Sequence, residues 1–319
     1  MVAPILPSGT NMTIPHSKKR TRRLMQAIVP AVPYVWLLVF FLVPFGIVLK
    51  LSLSQTASAM PPYQPVLNLS EGLAGIATFL AGLNIDNFLL LMEDFFYGEA
   101  VLSSVRIAAT ATAILVVIGF PFAYAMAKAP AHRRPLLVLL VILPFWMSFL
   151  IRVYAWIGIL RPQGLLDAVL MGAGLTSSPL GLLQTETAVL IGLVYCYLPF
   201  MILPLFATLE KFDWTLLEAA EDLGARPGRS FRKVTLPLAL PGLAAGALLC
   251  FIPIMGEYVI PELLGGTDTL MIGKTLSDEF FKNRDWPLAS AVAIVLLVII
   301  IGPITLHRSM EMRRMEQAR

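Results

Sequence analysis

Six apolar blocks, at about 31 to 51, 101 to 127, 135 to 159, 187 to 207, 238 to 258 and 287 to 306, constrain this chain more than any other feature. A helix that crosses a bilayer needs about 20 mainly apolar residues, and each block supplies them. Helices are the required choice, because unpaired backbone groups are costly in lipid and the alternating pattern of a barrel strand is missing. The chain is 57% hydrophobic and 14% charged, whereas soluble domains carry about 25% charged residues. An all-α integral membrane protein with six transmembrane helices follows.

Cys196 and Cys250 both fall inside apolar blocks. Neither has a partner at ligand spacing, so no disulfide and no metal site is expected. The pI near 9.1 does not point to nucleic acid, because the bases flank the apolar blocks instead of forming a patch of their own.

The distribution of those bases sets the expected orientation. On one side lie Lys18, Lys19, Arg20, Arg22 and Arg23, then Lys128, Arg133 and Arg134. The same side takes Lys211, Arg226, Arg229, Arg232 and Lys233, then Arg308, Arg313, Arg314 and Arg319. The other side holds only Arg161, Lys274, Lys282 and Arg284, so both tails are expected in the cytoplasm. A signal-peptide reading of the amino end, with Ala57-Ser58-Ala59 as a cleavage site, fits less well. The first apolar run exceeds the 7 to 15 residues of such a segment, and Lys50 interrupts the approach to the site. Residues 1–29 form a basic cytoplasmic tail and 30–319 the membrane domain, with translation starting at Met1 or Met12.

The outward segments carry Glu71, Asp86, Glu93, Asp94 and Glu99, then Asp167 and Glu186, then Glu262, Asp268, Asp278, Glu279 and Asp285. A negative vestibule would concentrate cations. Equally, the exclusion of bases from this side leaves acids by default.

The most informative segment is the inward loop from Asp213 through Glu218-Ala219-Ala220, Gly224, Arg226 and Pro227 to Val234, Leu236 and Pro237. Asp213 suits the start of a short helix running to Leu223, and Gly224 suits a left-handed stop after it. A second short helix around 230 to 234 is expected to end at Pro237, where the fifth span begins. Such a helix-turn-helix offers a rigid knob to a partner, with Glu218 and the arginines available for charged contacts.

This segment resembles the EAA loop of type I ABC importer permeases. Glu218-Ala219-Ala220, Gly224 and Leu236-Pro237 fall at that family's intervals, with Val234 in place of isoleucine. Further stretches, Phe149 to Trp156, Gly256 to Gly266 and Asn283 to Pro287, are similar to the spermidine and putrescine permeases, particularly the putrescine-system member with a long amino tail. The resemblance covers a core from about 97 to 307. It implies that the loop docks on an ATPase subunit and that polyamine, putrescine first, moves inward by alternating access. It also implies a heterodimer with a second, similar permease, two copies of the ATPase and a periplasmic polyamine-binding protein. Spermidine, another organic cation or an opine-like solute is the alternative cargo within the class.

The chain itself is not expected to hydrolyse ATP. Gly273-Lys274-Thr275 has Asp268 where a phosphate-binding loop needs its first glycine, and no zinc-protease or nucleophile-elbow pattern occurs. No cofactor is expected on this chain, with ATP and magnesium used by the partner ATPase. An ATPase-independent channel or secondary transporter would need no EAA loop. A membrane enzyme would need a polar cluster at helical spacing, of which only isolated charges are present.

Those charges are Arg106, Arg152 and Glu257, and ionisable groups within spans are functional candidates. Glu257 is expected either to meet a solute ammonium or to pair with Arg152. Arg106 is expected to snorkel to the outer interface. Tyr258 and Trp286, near Glu257 and the acidic loop that holds Asp278, are the preferred cation–π faces. Gly242 and Gly246 form a small-residue pair for close helix packing, within the subunit or at the heterodimer. Prolines 44, 121, 144, 199, 253 and 303 are candidate bends.

Overall fold

The computed structural model describes residues 31–66, 68, 70 and 72–317. The bases Lys18 to Arg23, the two alternative start sites, Glu71 and Arg319 lie outside the described residues. Two compact units meet at Lys50 and Leu51. The first helix, α1 (Ala31–Ser52), is 22 residues long, about 33 Å at 1.5 Å per residue, which matches one crossing.

The rest of the chain forms the hairpin strands β1 (Gln55–Thr56) and β2 (Tyr63–Gln64), then α2 (Gly72–Ala81) and α3 (Asp86–Glu93). The long α4 (Phe95–Lys128) follows, then α5 (Arg134–Ile142), α6 (Phe149–Leu160), α7 (Leu165–Gly172) and α8 (Glu186–Leu209). After the short α9 (Thr215–Asp222) come α10 (Pro227–Met255), α11 (Val259–Leu264), α12 (Ile272–Phe281) and α13 (Trp286–Gln317).

The core is a three-helix cluster of α4, α8 and α10, and small residues set its spacing. Gly119 on α4 faces Met201, while Gly242 and Gly246 on α10 face Thr208, Pro204 and Met201 of α8. The small-residue pair therefore serves packing inside this subunit. Arg106 beside Glu186 and Gly119 beside Met201 show that α4 and α8 run parallel. Gly242 beside Thr208 and Cys250 beside Tyr197 show that α10 runs antiparallel to both. One membrane face therefore carries Lys128, Leu209 and Arg226, the basic face. The opposite, acidic face carries Glu186, Glu257 and Asp285.

Two parallel helices in sequence require a return crossing between residues 128 and 186. The span expected at 135 to 159 is broken at one of the candidate prolines: α5 and α6 are separated by an 85° bend. Pro144 sits in a tight turn at Leu143–Trp146, and Met147 and Ser148 are extended. Proline lacks the donor that would continue the helix, and hydropathy is blind to the resulting bend.

Residues 74–93 are apolar enough to resemble another crossing. They do not cross. The stretch is broken between Ala81 and Asp86, and α2 and α3, at 10 and 8 residues, are each too short. The Asn87 side-chain amide donates to the carbonyls of Ser52 (3.0 Å) and Ser54 (2.8 Å), which ties α3 to the segment that leads into β1. Six crossings remain. Helix α4, at 34 residues about 51 Å long, exceeds the hydrocarbon thickness of about 30 Å. Its first turns project beyond the acidic face, where the Tyr97 hydroxyl donates to Glu279 on α12 (2.9 Å).

Candidate functional site

At the basic face, α9 and the start of α10 build a compact knob. The Asp213 carboxylate accepts from the Thr215 amide (3.1 Å) and hydroxyl (2.7 Å), bonds that hold its carboxyl below the ordinary range. At the other end Gly224 adopts φ +83°. The Ala225 amide donates to the Ala220 carbonyl (3.0 Å) and the Gly224 amide to Glu221 (2.8 Å), a pair of bonds that closes the helix end. Arg226 is extended and Pro227 opens α10, where its missing donor is harmless.

The second expected short helix is corrected: it does not end at Pro237. Residues 227 to 255 are continuous, with a widened turn at Phe231–Thr235. That turn shifts the hydrogen-bond register ahead of Pro237, so the proline is accommodated near the start of the following segment. Val234 and Leu236 are half-buried there, and Thr235 is buried.

Aromatic packing anchors the knob to α4. Trp214 meets Tyr124 edge-on (5.6 Å), Phe231 meets Phe120 (5.4 Å), and the Lys128 ammonium lies over Tyr124 (5.1 Å) and Trp214 (5.4 Å). Sequence spacing around the EAA pattern did not reveal these anchors; of them only Lys128 was singled out, as one of the bases on the inward side. Glu218, Ala219 and Arg226 face outward, and Leu223 is 88% exposed. Among the described residues Glu218 and Arg226 make no ion pair within the chain.

Near the acidic face, Glu257 is 9% exposed. One carboxylate oxygen accepts from the Tyr197 hydroxyl (2.7 Å), the other from the amides of Tyr258 (3.1 Å) and Val259 (3.0 Å), capping α11. The glutamate is thus satisfied without Arg152. The expected alternative, a Glu257–Arg152 ion pair, is not formed. Arg152 is 6% exposed, its Nε and Nη1 lack hydrogen-bond partners, and its guanidinium lies over Phe145 (4.9 Å) and Phe149 (5.6 Å). Tyr197 was visible in the sequence only as one ring among several, since nothing local ties it to a residue sixty positions away. Arg106 does not simply reach for the interface; it pairs with Glu186 (2.6 Å).

Beyond Glu257, a cavity of about 730 Å³ is lined by Glu262, Asp268, Asp278 and Glu279 together with Lys274 and Lys282. Lys282 bonds Asp278 (2.6 Å) and Glu262 (3.1 Å), and both contacts raise its pKa; Lys274 lies 3.6 Å from Glu262. The vestibule is therefore partly neutralised by its own lysines. Tyr258 is exposed, whereas Trp286 stacks on Phe280 (5.6 Å) and neighbours Tyr63 (6.4 Å). Asp167, counted among outward acids, is buried and binds the amides of Gln163 (2.9 Å) and Leu180 (3.1 Å), a loop-holding role. Gly273 packs directly on the carbonyls of Gly256 and Glu257, so close backbone approach accounts for the glycine of Gly273-Lys274-Thr275.

The family model for the inner membrane component of binding-protein-dependent transport systems matches residues 12–309. The chain belongs to that family. It is 40% identical over 276 residues, 86% of this chain and 90% of the relative, to the spermidine/putrescine transport system permease protein PotB of Haemophilus influenzae. With PotB of Escherichia coli K12 the identity is 41% over 216 residues, covering 68% of this chain and 78% of that protein. The bacterial ABC transporter involved in import of the acidic polysaccharide alginate matches at TM-score 0.60 and 18% identity, over 91% of this chain and 96% of that one. The inward-facing MetNI methionine ABC transporter matches at 0.50 and 20%, over 68% and 94%. At those identities the likeness is one of fold. This permease subunit of the type I ABC class is a multi-pass inner-membrane protein and not an enzyme, with ATP hydrolysis carried by a partner ATPase.

Proposed function

We propose that this permease moves polyamine, putrescine foremost, into the cell by alternating access. The observation that carries the reading is 40% identity over 276 residues to a relative named for spermidine and putrescine transport. The acid-rich face supports it, since a negative vestibule raises the local concentration of cations. Glu257, Tyr258, Arg152, Trp286 and Asp278 are the residues proposed along the solute path. The knob built on Glu218, Ala219, Ala220 and Gly224 is proposed to seat an ATPase subunit that uses ATP and magnesium. Both tails are then cytoplasmic, a second permease completes a heterodimer, two ATPase copies drive it, and a periplasmic polyamine-binding protein delivers solute to the acidic face.

The test is ATP-dependent uptake of labelled putrescine and of labelled spermidine into vesicles holding the full assembly. Saturable putrescine uptake that unlabelled spermidine competes weakly supports the reading. Preference for spermidine transfers the assignment to the longer polyamine, and indifference to both removes the cargo while leaving the importer class intact.

A further inference from the structure

We propose that Arg152 and Glu257 are two halves of an ion pair that is open in the conformation described and closes in the opposite state of the transport cycle. The inference goes beyond the cargo reading and holds for any solute.

It starts from Arg152. A guanidinium that is 6% exposed with Nε and Nη1 unpaired is unusual, because buried charges are ordinarily paired and hydrogen-bonded. Its contacts with Phe145 and Phe149 recover only part of the desolvation cost, because a cation–π contact is weaker than the penalty of taking an ion out of water. A second arrangement that supplies an anion would remove that cost.

Glu257 stands at the start of α11, whose first amides it caps, and α11 packs on α6, the helix that carries Arg152. Val153 beside Arg152 shares one core cluster with Ile260 and Leu264 of α11. What separates Arg152 from Glu257 is a file of rings: Tyr197 bonds Glu257, Phe200 lies 5.9 Å from Tyr197, Phe145 lies 5.1 Å from Phe200, and the guanidinium covers Phe145.

The means of closing is local. Helix α6 begins just after the 85° bend, three residues before Arg152. Rotation about that bend carries the guanidinium without unwinding either helix. Glu257 then exchanges the Tyr197 phenol for a charged donor, and charge-assisted bonds are about twice as strong as neutral ones. The two α11 amides still hold its other oxygen.

The experiment uses the full assembly in a Cys196→Ser, Cys250→Ser background. Arg152→Cys combined with Glu257→Cys is treated with a short bis-thiol reagent, nucleotide-free and then trapped with ATP and vanadate. Cross-linking about tenfold greater in one state is expected, and equal yields in both, or none in either, overturn the proposal. In parallel, Arg152→Met and Glu257→Gln should each lower basal ATP hydrolysis about tenfold, and the double variant should lose no more than either single one, about tenfold in total. Losses that multiply to about a hundredfold overturn the pair, assigning Arg152 to a carboxylate on another subunit or on the solute. Where a single variant does not assemble, Arg152→Glu with Glu257→Arg should restore assembly over Arg152→Glu alone, and no restoration sinks the idea. Neither readout uses labelled polyamine, so a failed cargo assignment leaves this test standing.

Discussion

Gly224 closes α9 at φ +83°, and a side chain built there meets nothing within 4 Å. Substitution at this position therefore tests backbone strain without steric clash. A left-handed residue with a Cβ costs about 1–2 kcal/mol, and Asn less, because its short polar side chain hydrogen-bonds locally. A loss of that size lowers the fraction of correctly closed knob by a factor of about 5–30. The two amide bonds of Gly224 and Ala225 would be the first to open, leaving the end of α9 frayed. Membrane insertion depends on the apolar spans and should not change. With the ATPase subunit held below saturation, its copurification and solute uptake per ATP hydrolysed should fall in the order Gly, Asn, Ala, Val. Equal coupling in Gly224→Val and wild type would refute the claim that this left-handed stop positions the docking surface, and so would an Asn variant weaker than Val.

Tyr197→Phe removes one donor from the buried Glu257 carboxylate, a loss of about 1–3 kcal/mol that should show as a lower thermal midpoint of the purified assembly. Gly242→Leu forces a side chain into Thr208, and overpacking of about 1–3 kcal/mol should reduce recovery of folded subunit by fluorescence-detected chromatography. Lys282→Met frees Asp278 and leaves Glu262 with Lys274 alone, so uptake of a cationic solute should gain a lower KM at low ionic strength that disappears in salt. The Lys282 pair itself, with its pKa raised, is present below the unfolded value of 10.5 and lost only as pH rises through the folded one. Asp213 has the opposite sign. Its lowered pKa keeps the α9 start intact above 3.8 and loses it as pH falls through the folded value, so coupling should stay flat across neutral pH in wild type.

The six crossings were legible because hydrocarbon thickness imposes a length on every apolar block, and the EAA loop because its glycine and proline answer to backbone geometry. The bend after Pro144 was legible only as one of six candidate prolines, since an apolar run scores alike whether straight or folded. Pro237 misled for a related reason: proline ends an α-helical register but is accommodated by a widened turn, and residue type does not announce which. At the polar core the sequence singled out Arg152 and Glu257, yet could not say that a phenol would satisfy the glutamate and leave the arginine unpaired. Contacts between positions sixty apart depend on how helices are set against each other. The lysines that quench the acidic cavity were counted, but their seats on Glu262 and Asp278 come from the α11–α12 corner.

The bend between α5 and α6 also decides which side of the molecule lipid is allowed to touch. A helix interrupted mid-membrane leaves main-chain carbonyls and amides without their usual partners, and hydrocarbon offers none. The turn answers part of that need, since the Met147 amide donates to the Pro144 carbonyl (3.3 Å) and the Ser148 carbonyl accepts from the Arg152 amide (3.1 Å); the groups left over, with Trp146 75% exposed beside them, need water or protein against them. The elbow must therefore point toward a wet interior or toward another polypeptide. That demand turns this flank away from the acyl chains, which the uninterrupted helices tolerate.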